Sequence, residues 1–350
     1  MQNGKKDHEK HTGEPSFKMW LWTAVVLAAA VFFSFLYLYV DLVRFADTPT
    51  AAGAREKAFI VFPGEGFRNV AENLVEAGLL EHPIKLRAYA RLKKYDKKVK
   101  AGEYLLSASM SPDAILQVLA SGKVRLHKVT VPEGYTLVQI AHVMKESGLS
   151  TAEEFTRLAT NPQFVRSRGI DADSAEGYLF PETYLFPLSI TPDEIISTMV
   201  GHFWRQFKPE WKRKAELLGF SIHEVVTLAS MIEKETGVPA ERPIVSSVFH
   251  NRLSKGMRLE SDPTVIYGIA GFDGNLTRMH LKAPTPYNTY SIQGLPPGPI
   301  SNPGSAAIEC ALFPAETEFL YFVARQDRTH HFSSSLPEHN QAVRKYQLGK

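Results

Sequence analysis

Three features of the sequence predict an α+β fold behind an N-terminal membrane-spanning helix. Met19–Val40 is a run of 22 residues without a charge. Two strand-turn-helix patterns follow it, one near Phe59–Leu79 and one near Val129–Leu149. From Ser150 onward, apolar residues recur at helical spacing in several separate stretches before the chain turns rich in Pro and Gly. A length of 350 residues suits about two domains at roughly 150 residues each.

The first element is set by length and chemistry. At about 1.5 Å per residue, the run from Met19 to Val40 reaches about 33 Å, enough to cross a hydrocarbon core. Trp20 and Trp22 stand at one end of it, Tyr37 and Tyr39 at the other, as in an aromatic belt. A cleaved signal peptide fits less well, because the run is too long and the small residues Ala52-Gly53-Ala54 lie far beyond it. Lys5, Lys6, Lys10 and Lys18 precede the run, and Arg44, Arg55 and Lys57 follow it. That small excess places residues 1–18 in the cytoplasm as a tail and the body of the protein outside. The span is 19–40 and the linker 41–57, with DTPTAAGAR small and polar.

Phe59–Phe62 reads as a strand and Pro63-Gly64-Glu65-Gly66 as a turn. Val70, Leu74 and Ala77 then lie on one helix face, closed by Gly78. Val129–Val131, Pro132-Glu133-Gly134 and Ile140–Gly148 repeat the pattern. VAENLVEAGL sets on IAHVMKESGL at an offset of 70: either a duplication or a common unit used twice. Between them, Lys85–Lys100 holds eight Lys or Arg in 16 residues, with Tyr89 and Tyr95 interleaved. It is either a solvated helix face or a surface for an anionic polymer. Ser111-Pro112-Asp113 opens a helix that points Ile115, Leu116 and Leu119 inward. Helical patterns continue over 152–159, 192–207 and 210–218, and Ser221 caps a helix that reaches Thr236.

Composition excludes several classes. The net charge is +3, of which residues 1–40 hold +1 and the rest of the chain only +2, too little for a dedicated nucleic-acid binder. The single cysteine, Cys310, excludes an intramolecular disulfide and a Cys-based zinc site. His330, His331 and His339 lack ligand spacing, so no metal is expected. No cofactor is indicated.

The helix SIHEVVTLASMIEKETG carries an apolar stripe of Val225, Leu228, Ala229 and Ile232. Glu233 and Glu235 flank the stripe on opposite sides, and Lys234 points away. Either Glu at a cleft edge would gain a raised pKa and could serve as a general acid; either could equally be a solvated helix acid. EGYLFPETYLF, LESDPTVIYG and APTPYNTYSIQGLPPGPISNP mix aromatic rings with small polar groups: Tyr178, Tyr184, Tyr267, Tyr287, Asn288 and Tyr290. Such surfaces bind sugars, although packed core loops use the same residues.

Taken in order, EGYLFPETYLF, LASMIEKETG, ERPIVSSVFHNRLSKGMRLESDPTVIYG, PYNTYSIQGLPPGPISNPG and HFSSSLPEHN resemble the endolytic murein transglycosylases, the MltG or YceG-like family. The resemblance implies a single-pass inner-membrane protein with its bulk in the periplasm or otherwise outside the cytoplasm. It implies a LysM-like domain at 58–126, longer than a minimal one by the basic stretch. A catalytic domain at 127–350 would follow, with the second strand-turn-helix unit at 127–150.

The same resemblance selects Glu233 as the acid that protonates the bond between N-acetylmuramic acid and N-acetylglucosamine. Glu233 would then act as base for the sugar's own C6 hydroxyl, leaving 1,6-anhydro ends. Tyr287, Asn288 and Tyr290 are candidate glycan contacts, and Glu182 is a further one. Asp262 is expected to shape the cleft or cap a helix ahead of Pro263. Were it opposite Glu233, a muramidase-type hydrolase would follow instead. A non-catalytic peptidoglycan tether is the other alternative. The implied partners are peptidoglycan glycan strands, the membrane and penicillin-binding cell-wall synthases, with no nucleic acid.

Overall fold

The computed structural model describes residues 17–349, so residues 1–16 of the expected tail 1–18 lie outside them. The chain divides into two compact units, one running to Arg125 and one beginning at Leu126.

The first unit opens with helix α1 (Phe17–Asp47), long and apolar enough to cross a membrane, with that apolar stretch wholly exposed on the protein. It does not stop at Val40, where the linker was expected. Leu42, Phe45 and Ala46 continue the apolar periodicity and pack on the unit's core, so burial extends the helix to Asp47. Strand β1 (Lys57–Val61) pairs antiparallel with β2 (Gly102–Leu106), Phe59 opposite Tyr104. Between them come α2 (Phe67–Glu76), which buries Val70, Ala71 and Leu74, and α3 (Pro83–Lys93). The basic stretch is only half helical, because Lys94 turns left-handed at φ 59° and ends α3. Helix α4 (Pro112–Ser121) follows, with Ser111 accepting the Ala114 N–H as its cap.

The second unit pairs β3 (Leu126–Thr130) with β4 (Thr183–Pro187), antiparallel, Val129 opposite Tyr184. Helices α5 (Leu137–Glu146), α6 (Ala152–Ala159) and α7 (Pro162–Ser167) lie between these strands. After β4 come α8 (Pro192–Gln206), α9 (Pro209–Leu218) and α10 (Ile222–Glu235). A reciprocal capping box, Ser221 with Glu224, starts α10. Every residue from Val225 to Ile232 is buried, a wider burial than the apolar stripe alone predicts. The reason is packing on several sides, above all against α14 (Ser305–Leu312); a helix buried all round is a core helix. Burying each of Leu228 and Ile232 contributes about 1.5–3 kcal/mol. Between α10 and α14 run α11 (Arg242–Ser254), α12 (Asp262–Tyr267) and α13 (Arg278–Lys282). The ribbon β5 (Tyr321–Ala324) with β6 (His330–Ser333) and the helix α15 (Leu336–Tyr346) close the chain.

Candidate active site

Glu233 sits in the last turn of α10, where the buried helix meets the segment 300–304. Its side chain is only 5% exposed. One carboxylate oxygen, Oε1, accepts from Arg242 Nη2 at 2.9 Å, and Oε2 accepts from the Gly304 N–H at 3.0 Å. Burial drives the Glu233 pKa above the ordinary carboxylate range; the Gly304 N–H and the Arg242 charge act against it, and the Glu133 charge adds to it.

Arg242 opens α11 and is itself 13% exposed. The same Nη2 that holds Glu233 lies 3.6 Å from Glu133 Oε2. Glu133 comes from the turn after β3, and Lys234 Nζ donates to the Gly134 carbonyl of that turn at 3.3 Å. A Cβ on Gly304 would lie 1.8 Å from Glu133 Oε1, so glycine there leaves room for the Glu133 carboxylate in this position. The segment carrying Gly304 is fixed to α10. Ile300 N–H donates to Ser230 Oγ at 3.0 Å, and Ser301 Oγ donates to the Ser230 carbonyl at 3.3 Å. A desolvated carboxyl between two donors can hold a proton and can bear the charge once the proton leaves.

Glu235 belongs to a different surface. It accepts a short hydrogen bond from Ser261 Oγ, and burial pushes its pKa up to about 7, with the Asp262 charge adding to the rise. It lines a cleft of about 340 Å³ with Asp262, Tyr290, His330 and His339. Asp262 is the first residue of α12, and Ser261 holds the cap position. Pro263 is therefore second in the helix, and Asp262 does not cap it. Its carboxylate instead accepts from Tyr290 Oη at 2.7 Å. The carboxylate that shares a partner with Glu233 is Glu133, not Asp262.

The remaining candidates divide. Asn288 is fully buried, and its amide donates to the carbonyls of Leu281 and Ala283 at 3.0 and 2.7 Å. It holds its own loop and has no free surface for a glycan, contrary to the expectation from PYNTY. Glu182 is exposed and accepts the Thr183 N–H at 2.9 Å. Tyr287 packs its ring 4.8 Å from Tyr267, and both line a cleft of about 460 Å³ with Glu176 and His223. Among the three histidines, His330 Nδ1 lies 2.7 Å from Glu241 and His339 stacks on Tyr321. No cluster of ligating side chains suited to a metal occurs among the described residues.

The residues that sequence reasoning overlooked are Glu133, Arg242, Gly304 and Glu176. Glu133 was legible only as part of a turn. Arg242 and Gly304 stand inside ERPIV and ISNPG but gain meaning only through their contacts, Arg242 with Glu233 nine residues away and Gly304 with Glu233 71 residues away. Glu176, at the head of EGYLF, is 4% exposed. Burial lifts its pKa to about 7 against the opposing hydrogen bonds of Leu137, Tyr267 and Asn302.

Known proteins resemble this chain over most of its length. A Bacillus subtilis protein named endolytic murein transglycosylase is 37% identical over 268 residues, 70% of this chain and 72% of that protein. A Streptococcus pneumoniae protein of the same name is 30% identical over 333 residues, 85% of this chain and 59% of that protein. The crystal structure of a YceG-like protein from Listeria monocytogenes superposes with a TM-score of 0.58 at 31% identity, covering 83% of this chain and all of that one. The sequence model of the YceG-like family matches residues 59–345, which takes in both compact units and every residue around Glu233: the chain belongs to the YceG-like family.

Proposed function

We propose that this protein is a membrane-anchored endolytic murein transglycosylase that cuts glycan strands internally, with Glu233 as its one acid and base. The observation that carries this is the setting of Glu233: 5% exposed, bonded to Arg242 and the Gly304 N–H, with its pKa raised by burial. The names of the two bacterial relatives supply the substrate class.

In the proposed step, the Glu233 proton passes to the glycosidic oxygen, and the bond from that oxygen to the anomeric carbon of N-acetylmuramic acid breaks. The sugar's own C6 hydroxyl attacks that carbon, and its proton returns to Glu233. The product is a 1,6-anhydro end, and the carboxyl is regenerated without water. Between the two transfers Glu233 is an anion, and the Arg242 guanidinium and the Gly304 N–H are placed to hold it. Before the first transfer it must carry a proton. Glu133 helps by competing for Arg242 and by raising the Glu233 pKa.

Helix α1 serves as a single-pass anchor with the N-terminus in the cytoplasm, so the working unit meets peptidoglycan outside. The strand–helix–helix–strand order of β1, α2, α3 and β2 supports a LysM-like, glycan-binding role for the first unit. Tyr287, with Tyr267, offers an aromatic wall for a sugar ring. Cleavage at the membrane suits termination of growing chains, beside the synthases.

One observation favours a second reading. Two carboxylates held by one guanidinium nitrogen resemble a hydrolase pair, in which Glu133 would activate water. End-group mass spectrometry separates the two. Strands digested by the detergent-solubilised full chain should carry 1,6-anhydro ends; reducing ends would move the reaction to hydrolysis and give Glu133 the second role.

A further inference from the structure

Glu176 takes no part in the proton transfers just described, yet its hydrogen bonds lead to them. It is a buried carboxylate surrounded by donors. The Leu137 N–H donates to both its oxygens, at 2.9 and 3.0 Å. Asn302 Nδ2 donates to Oε1 at 2.8 Å, and Tyr267 Oη to Oε2 at 3.1 Å. A buried carboxylate so placed is an acceptor at every point, and its partners are spread over three parts of the second unit.

Asn302 is the link. Its Oδ1 accepts the Leu179 N–H at 2.8 Å, and its Nδ2 also donates to the Tyr135 carbonyl at 2.9 Å. Its backbone N–H donates to that same carbonyl at 2.8 Å, and its own carbonyl accepts the Gly134 N–H at 2.9 Å. Two residues on, the Gly304 N–H holds Glu233. Asn302 thus ties together the turn that carries Glu133 and the segment that carries Gly304. On its other side, Glu176 reaches through Tyr267 into the aromatic cleft that it helps to line.

We propose that Glu176 is a positioning residue for Glu233: through Asn302 it sets the Gly304 N–H and the Glu133 turn against the acid, and through Tyr267 it joins that setting to the aromatic cleft. The proposal rests on the assignment of Glu233 as the acid. Replacing Glu176 by Gln keeps the shape but sets its NH2 group, in either orientation of the amide, against the Leu137 N–H that now donates to both oxygens. Donor then faces donor, so the amide is pushed out of the place the carboxylate holds and its bond to Asn302 shifts with it.

The test is the pH profile of kcat and KM for Glu176→Gln in the detergent-solubilised full chain, with glycan strands as substrate. The charges that bear most on Glu233 are Arg242, Glu133 and Lys234. Simple loss of the Glu176 negative charge would lower the Glu233 pKa. Loss of the Gly304 N–H bond would raise it, because that bond now lowers it. The expected result is a kcat reduced about tenfold to a hundredfold, the scale of a small misplacement, with the alkaline limb moved to higher pH and KM changed less than kcat. Asn302→Ala, which cuts the same link while leaving Glu176 in place, should move the limb in the same direction. Should Glu176→Gln fail to fold by circular dichroism, that second variant decides. Tyr267→Phe should alter KM and leave the limb in place.

An alkaline limb that stays, or moves to lower pH, in both Glu176→Gln and Asn302→Ala would overturn the positioning role while lytic activity of the parent chain leaves the function standing. A parent chain that releases no lytic product would overturn both.

Discussion

Glu233 and Glu235 stand two residues apart on one helix and have different surroundings. Glu235 is held by Ser261 beside Asp262; Glu233 faces a guanidinium that it shares with Glu133. Glu133→Gln should therefore have a defined sign. Removing that negative charge takes away an upward influence on the Glu233 pKa, and Arg242 is left to Glu233 alone. The carboxyl then loses its proton at lower pH, and the alkaline limb of kcat moves down. The check is a pH–rate profile; an unmoved limb would show that Glu133 does not act on the acid. Asn288 teaches the opposite lesson. An Asn between two tyrosines reads as a ligand contact, but here its amide serves the loop that bends around it. The side chain is the same in both uses, and only its partners differ.

Helix α10 is the element on which the site is built. Its start was legible, because Ser221 three residues before Glu224 is a capping box written in the sequence. Ser221→Ala should cost about 1 kcal/mol and lower the melting temperature by roughly 2–4 °C, with the reaction otherwise intact. Calorimetry on both chains checks this. The helices and strands were legible to that extent because caps, Pro and apolar spacing are local. The segment 300–304 was not. It forms no helix or strand of its own, and it holds its place through Ser230, Tyr135 and Glu233. Contacts over such separations leave no periodic trace. The end of α1 was missed for a related reason: the uncharged run stops at Val40, while Leu42, Phe45 and Ala46 find a core to pack on. The choice between Glu233 and Glu235 likewise came from the resemblance and not from the helical wheel.

At the scale of the whole molecule, two buried carboxyls set a pH dependence. Glu176 and Glu235 are each raised to about 7 in the folded chain from 4.5. Between those values the folded state binds more protons than the unfolded one, so stability falls as pH rises. The full contribution is present below about pH 4.5 and is lost by about pH 7, because above that point both buried groups must carry charge. The melting temperature should decline from pH 5 to pH 8, and the decline should shrink in Glu235→Gln; a curve that rises over this range would contradict it. The proposed anchoring by α1 predicts a further whole-chain property, the need for detergent to bring the protein out of membranes.

The most direct measurement compares Glu233→Gln and Glu235→Gln with the parent chain by mass spectrometry of digested glycan strands, all three in detergent and at full length. Anhydro ends from the parent and from Glu235→Gln, with none from Glu233→Gln, are the expected result. Anhydro ends that persist in Glu233→Gln and vanish in Glu235→Gln would contradict it and move the acid to the cleft of Asp262 and Tyr290.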